Sequence, residues 1–147
     1  MKFVADHMVG RLAGWLRLLG FDVLYPRNLD DTELIKIAKE EGRILLTRDR
    51  KLAGENIFVV RSLFIDKQLE QVVKELKLKI ENELSRCSVC NTEIIKEAKE
   101  KVKSFVPERI YKEHELFWKC PKCNRIYWQG SHWKKIMKKI EELRNLK

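Results

Sequence analysis

The sequence predicts an α/β fold: a parallel sheet flanked by helices, followed by a small zinc-ribbon domain and a C-terminal helix. Three observations predict it. Short apolar runs alternate with amphipathic stretches through residues 1–80. Two Cys-x-x-Cys pairs stand in the second half, and a basic, lysine-rich helical stretch closes the chain.

Residues 2–5 read as a short apolar strand ending at Asp6. From Met8 to Leu19, apolar residues recur at Met8, Leu12, Leu16 and Leu19, one face of a helix, and Gly20 stops it. Asp22–Tyr25 reads as a second strand. Asp30 with Glu33 three residues on is a capping-box pattern that opens a helix over Leu34 to Glu41, closed by Gly42. Ile44-Leu45-Leu46-Thr47 is a buried strand running into Arg48-Asp49-Arg50, and Ile57–Val60 is a fourth strand. Leu69, Val72, Val73 and Leu76 mark an amphipathic helix over Lys67 to Leu78. Strands that alternate with helices pair in parallel, covered on both faces.

From Ser85 the pattern changes to short strand-like pieces, cysteine pairs and clustered aromatics. Cys87-Ser-Val-Cys90 and Cys120-Pro-Lys-Cys123 are separated by 29 residues. Two residues between cysteines let both thiolates reach one tetrahedral ion at about 2.3 Å. The gap exceeds the roughly 15–20 residues of an ordinary ribbon, so residues 91–119 carry an insertion, with a helix expected around Lys99–Phe105. Four thiolates fill the coordination of zinc, so Cys87, Cys90, Cys120 and Cys123 predict a structural ion with no position for substrate. The last helix is expected from His132 to Leu146, behind a cap at Ser131.

The chain of 147 residues is 44% hydrophobic and 36% charged, the balance of a folded rather than a disordered protein. No stretch approaches the roughly 18 apolar residues of a membrane span, and Asp6 interrupts any leader-like apolar run. A cytoplasmic location without membrane contact is therefore expected. Net charge is +9, of which +3 falls in residues 1–80 and +6 in residues 81–147. Such a surface attracts polyanions, nucleic acid first.

Ligands of a parallel sheet collect beyond the carboxyl ends of its strands. Asp6 ends the first strand, Asp30 and Asp31 follow the second, and Asp49 follows the third. Carboxylates gathered there suit Mg²⁺ or Mn²⁺, which stabilise charge developing in phosphodiester cleavage. Each also has a plain structural use: Asp30, Asp31 and Asp6 as helix caps, Asp49 in a polar turn.

The segments Asp6-His-Met-Val-Gly-Arg-Leu-Ala-Gly-Trp-Leu-Arg-Leu-Leu-Gly20, Asp31-Thr-Glu-Leu34 and Arg43-Ile-Leu-Leu-Thr-Arg-Asp-Arg50 resemble the PIN-like ribonucleases. In particular they resemble the C-terminal ribonuclease domain of the Mut-seven exonucleases, which joins a PIN-type core to a zinc ribbon. Phe117-Trp-Lys-Cys-Pro-Lys-Cys-Asn-Arg-Ile-Tyr-Trp-Gln-Gly-Ser-His-Trp133 resembles the ribbon of that family. The resemblance spans nearly the whole chain. It implies a PIN-like nuclease domain over residues 1–80 and a zinc-ribbon domain with a basic C-terminal helix over residues 85–147. It also implies a Mg/Mn-dependent endoribonuclease with Asp6, Asp31 and Asp49 as metal-binding catalytic acids. Lys51 departs from the pattern, standing where many PIN nucleases carry a further acid. Asp66, after the fourth strand, is either its replacement or a helix cap.

Arg11 and Arg17 lie on the first helix, Arg48 and Arg50 flank Asp49, and Arg61 follows the fourth strand; arginine holds phosphate through paired hydrogen bonds. Lys134, Lys135, Lys138 and Lys139 form a basic helix face suited to a phosphate backbone. Tyr127, Trp128 and Trp133 either stack on bases or fill the core of a small ribbon. Two functions compete. One is a metal-dependent ribonuclease whose zinc ribbon assists RNA binding. The other is a non-catalytic RNA- or ribosome-binding module with a vestigial acidic site, which Lys51 favours. Self-association is compatible with both.

Overall fold

The computed structural model describes residues 1–146. Four parallel strands, β1 (Lys2–Ala5), β2 (Asp22–Leu24), β3 (Ile44–Thr47) and β4 (Ile57–Val59), form a sheet in the order β2-β1-β3-β4. The first turn after β1 is a 3₁₀ segment, His7–Val9, capped by the Asp6 side chain, and α1 runs over Gly10–Leu18. Gly20 follows at φ 98°, where an added Cβ would lie 2.2 Å from the carbonyl oxygen of Asn82. Only glycine lets the later chain pass that close.

Helix α2 spans Asp31–Glu41, one turn earlier than its apolar periodicity reveals, because Asp30 caps it through the Glu33 amide at 2.9 Å. Gly42 ends it in the left-handed conformation. Helix α3 covers Ile65–Glu75. Alternation along β1 and β3 divides the core. Phe3, Ala5 and Leu46 pack with α1 and α3, whereas Val4 and Leu45 face Leu34 and Ala38 of α2.

The second part of the chain contains a three-stranded antiparallel sheet, β5 (Ile95–Glu97), β6 (Phe117–Lys119) and β7 (Ile126–Tyr127), in that order. The insertion between the cysteine pairs holds α4 (Lys99–Val102), a 3₁₀ turn and α5 (Glu108–Glu113). The final helix, α6 (Ser131–Arg144), is capped at Gly130 rather than Ser131. Its Ile136, Ile140 and Leu143 join the cluster that contains α1 and α3, and Lys139 reaches Asp66 of α3 at 2.7 Å. The last helix is thus a layer over the parallel sheet's own core. None of the described helices is long and apolar enough to cross a membrane.

The two parts are joined across the exposed edge of β2. The Val23 amide donates to Asn91 Oδ1 at 2.9 Å, and Asn91 Nδ2 donates to Asp22 Oδ1 at 2.7 Å. Arg17, 7% exposed, donates through Nε to the Val23 carbonyl and through Nη1 to the carbonyls of Ser88 and Val89. Burial lowers the Arg17 pKa, against the nearby Cys87 and Cys90 sulfurs and Asp22, which raise it. An edge strand that would otherwise invite pairing is closed in this way. On the other side of Asp22 lies Arg43, whose guanidinium also bonds Glu41 and the Phe3 carbonyl. Burial of Asp22 favours its neutral form, but hydrogen bonds from Arg43 and Asn91 outweigh it and lower the pKa.

Arg17, expected from sequence to touch RNA, therefore acts as a strut inside the fold. Arg17→Met should cost about 2–4 kcal/mol in urea unfolding, because three carbonyls lose a charged donor in a buried place. A loss under about 0.5 kcal/mol, the range of an ordinary surface change, would show that the strut holds nothing.

Candidate functional site

The parallel sheet reverses direction of winding between β1 and β3, since β2 lies on one side of β1 and β3 on the other. Such a switch point opens a crevice at the carboxyl ends of the strands. Asp6 lies at this point, 2% exposed, with its backbone amide on the Leu46 carbonyl. Its Oδ1 accepts from the Met8 amide at 2.9 Å, and its Oδ2 accepts from the Thr47 hydroxyl. That hydroxyl oxygen also accepts from the Asp49 amide at 3.0 Å. Thr47 thereby ties Asp6 to the residue that starts the Asp49 turn, and Asp49 Oδ1 accepts from the Lys51 amide at 2.9 Å. Thr47, buried at the end of β3, is the link that sequence reading did not single out.

The remaining sequence candidates are distributed as follows. Asp31 opens α2 and is exposed, while Asp30 beside it serves as the cap. Asp66 pairs with Lys139, and Arg61 pairs with Glu75, so neither is turned to the acidic positions. Arg11 and Arg50 are exposed. Arg48 is half-buried, and its Nε is enclosed without a hydrogen-bond partner among the described residues. A buried donor of this kind calls for an acceptor. Lys134, Lys135 and Lys138 stand exposed on α6.

Among the described residues, one group of three or more His, Cys, Asp or Glu ligand atoms lies within 4.8 Å of one another: Cys87, Cys90, Cys120 and Cys123. The oxygens of Asp6, Asp31 and Asp49 form no comparable cage. The sulfur separations include 3.5 Å for Cys87–Cys90, 3.2 Å for Cys90–Cys120 and 3.7 Å for Cys87–Cys123. Four sulfurs bound to one tetrahedral zinc lie about 3.8 Å apart, given Zn–S bonds near 2.3 Å. The cluster is close to that size.

Each knuckle is built alike. The Cys87 amide bonds the Thr92 carbonyl and the Asn91 amide bonds the Cys87 carbonyl; Cys120, Arg125 and Asn124 repeat the arrangement. Asn91 and Asn124 adopt φ of 68° and 64°, the left-handed conformation that asparagine tolerates better than most residues.

The donor chemistry fits a dication. Burial acts to raise the Cys87 pKa, but hydrogen bonds from the Tyr127 hydroxyl and from the Cys90 and Val89 amides bring it down to about 6. Cys90 is pushed up to about 12 by burial and by the three neighbouring sulfurs. Burial also acts to raise the Cys120 pKa, but the Cys123 and Lys122 amides and the neighbouring thiols bring it down. Protein groups thus favour thiolate at Cys87 and Cys120, and a further thiolate beside them needs a cation. The knuckle that carries Cys87 and Cys90 docks at Asp22 and Val23, the beginning of β2, whereas Asp6 and Asp49 follow the ends of β1 and β3. A zinc ion held there would lie at the opposite end of the sheet from the acids, with four thiolates filling its coordination.

No curated protein and no solved structure matches the chain. The model of the Mut7-C RNAse domain family matches residues 1–140, a stretch that takes in the parallel sheet and all four cysteines. A ribonuclease-type function and an RNA substrate follow from that family. By this match the chain belongs to the Mut7-C RNAse domain family.

Proposed function

We propose that the protein is a PIN-like, metal-dependent endoribonuclease that hydrolyses RNA phosphodiester bonds at the crevice marked by Asp6 and Asp49. The observation that carries this reading is the linked Asp6–Thr47–Asp49 arrangement, with the unpartnered Nε of Arg48 one residue away. Mg²⁺ is commonly held by one or two carboxylates with water completing its shell. Asp6 and Asp49 fit that requirement, with Asp31 adding charge from the first turn of α2. A divalent ion bound there supplies neutralisation of the phosphate and a more acidic water.

The chain's own groups prepare the place. The Met8 amide and Thr47 hydroxyl fix the rotamer of Asp6, and the Lys51 amide orients Asp49. Arg11 and Arg50, both exposed, and half-buried Arg48 form a basic border for phosphate. The C-terminal part, through Lys134 and Lys135, assists RNA binding. The test is incubation of labelled RNA with and without Mn²⁺, beside an Asp49→Asn variant. Cleavage confined to the parent with Mn²⁺ supports the reading, and equal cleavage in all arms removes it.

A second reading, a non-catalytic RNA- or ribosome-binding module, is favoured by one observation. Asp6, Asp30 and Asp49 each serve as a local cap or turn anchor, a use that needs no metal. Under either reading, affinity for RNA should fall steeply with salt. Changing Lys134, Lys135 and Lys138 together to Ser should flatten the slope of log K against log salt by about 2, at about 0.7 per phosphate contact. Lys139 is left out because Asp66 holds it. An unchanged slope would show that RNA does not follow α6.

A further inference from the structure

A cleft of about 1000 Å³ runs between the ribbon and the start of α6. Three of the chain's four tryptophans line it, Trp118 on β6, Trp128 after β7 and Trp133 on α6, together with Tyr127. All four side chains are half-buried. A domain this small would gain most by burying its tryptophans fully; here their rings border open space. Gly130 fixes part of the wall, for a Cβ there would lie 2.9 Å from Trp128 Nε1.

We propose that this cleft holds unpaired bases of RNA by stacking, which makes single-stranded RNA the bound form of the substrate. The inference rests on the ribonuclease reading for the identity of the polymer, and on the cleft itself for the preference. Charge complementarity selects the occupant. Exposed Arg109 lines the cleft, exposed Lys134 and Lys135 follow Trp133 on α6, and Arg86, also in the lining, is engaged by Glu93 at 3.5 Å and the Asn91 carbonyl at 2.8 Å. Of the acids that line it, Glu83 is neutralised by Arg144 at 2.6 Å, leaving Glu113 as the opposing charge.

Every base presents a π face, so a wall of indoles accepts any unpaired sequence, whereas a duplex hides those faces in its own stack. The cleft begins at Leu18, the carboxyl end of α1, beside the ribbon. It is therefore at the end of the sheet away from Asp6 and Asp49, and it holds RNA without taking part in chemistry.

The test uses the intact zinc-loaded protein, whose tryptophan fluorescence reports mostly on this cleft. A single-stranded oligouridylate of about 16 nucleotides should quench that fluorescence to saturation. A duplex of equal length should bind about tenfold more weakly or worse, because stacking contributes little to it. Trp128→Leu should weaken single-strand binding about tenfold, while Trp128→Phe, which keeps a π face, should stay within about threefold of the parent. Arg109→Ala, at an exposed position, should lower the salt slope by about 0.7 with folding intact.

Equal affinity for single strand and duplex, or parent affinity in both Trp128→Leu and Arg109→Ala, overturns the proposal. A peptide or a second copy of the chain as the true occupant would produce that second result. Cleavage is read separately on the same RNA. Quenching without cleavage in any arm removes the nuclease reading and leaves the cleft, and cleavage without quenching does the reverse.

Discussion

Replacing Cys120 by Ser should cost at least about 4 kcal/mol of stability and abolish zinc binding, which native mass spectrometry should show as one ion per parent chain. Cys120 is fully buried, and its backbone amide and carbonyl already shape the second knuckle. A serine hydroxyl is a poor substitute for a thiolate, so three sulfurs and a void remain where four ligands stood. The loss should not stop at the ribbon. Asn91 and the carbonyls of Ser88 and Val89 belong to the first knuckle, and they hold Asp22, Val23 and Arg17 of the α/β part. Unfolding should therefore shift as one transition rather than split in two. Strong chelation should reproduce the effect, and acid should favour it, because protons compete with zinc for thiolate. A well-folded, metal-free variant with the parent's midpoint would show that the cysteine cluster carries no ion that matters.

The elements that sequence reading recovered are those whose signal is local. Ile44, Leu45 and Leu46 are apolar in succession because both faces of β3 are covered, and α2 carries its own start at Asp30 and stop at Gly42. The knuckles announce themselves by spacing. What escaped notice is set by partners distant in the chain. Arg17 reads as one more basic residue, yet two of its acceptors lie 71 and 72 positions away. Arg43 and Thr47 carried no chemical flag for the same reason. Helix α5 buries no residue, so no apolar period marks it. The last helix was legible as basic through its lysines, but the sequence reading did not say that Ile136, Ile140 and Leu143 would cover the first sheet's helix layer. Asp6 and Asp49 were legible as strand ends; the hydroxyl that joins them was not.

Asp49→Asn should lower Mn²⁺-dependent cleavage about 100-fold or more while leaving RNA affinity unchanged. The substitution is discriminating because the contact that shapes the turn survives it. Asparagine keeps an Oδ1 able to accept from the Lys51 amide, and the backbone amide still donates to Thr47. What disappears is one negative charge at the switch point of the sheet. Asp6→Asn is less clean, since Asp6 is buried and both its oxygens accept hydrogen bonds, one of which an amide nitrogen cannot. A thermal measurement adds an arm that does not depend on turnover. If a divalent ion binds the folded parent, Mn²⁺ at a hundred times its dissociation constant stabilises it by about 2.7 kcal/mol. That gain should vanish in Asp49→Asn, whose midpoint without metal should equal or exceed the parent's. If Asp49→Asn cuts RNA as fast as the parent, Asp49 is a turn residue alone, and the binding-module reading takes the place of the nuclease.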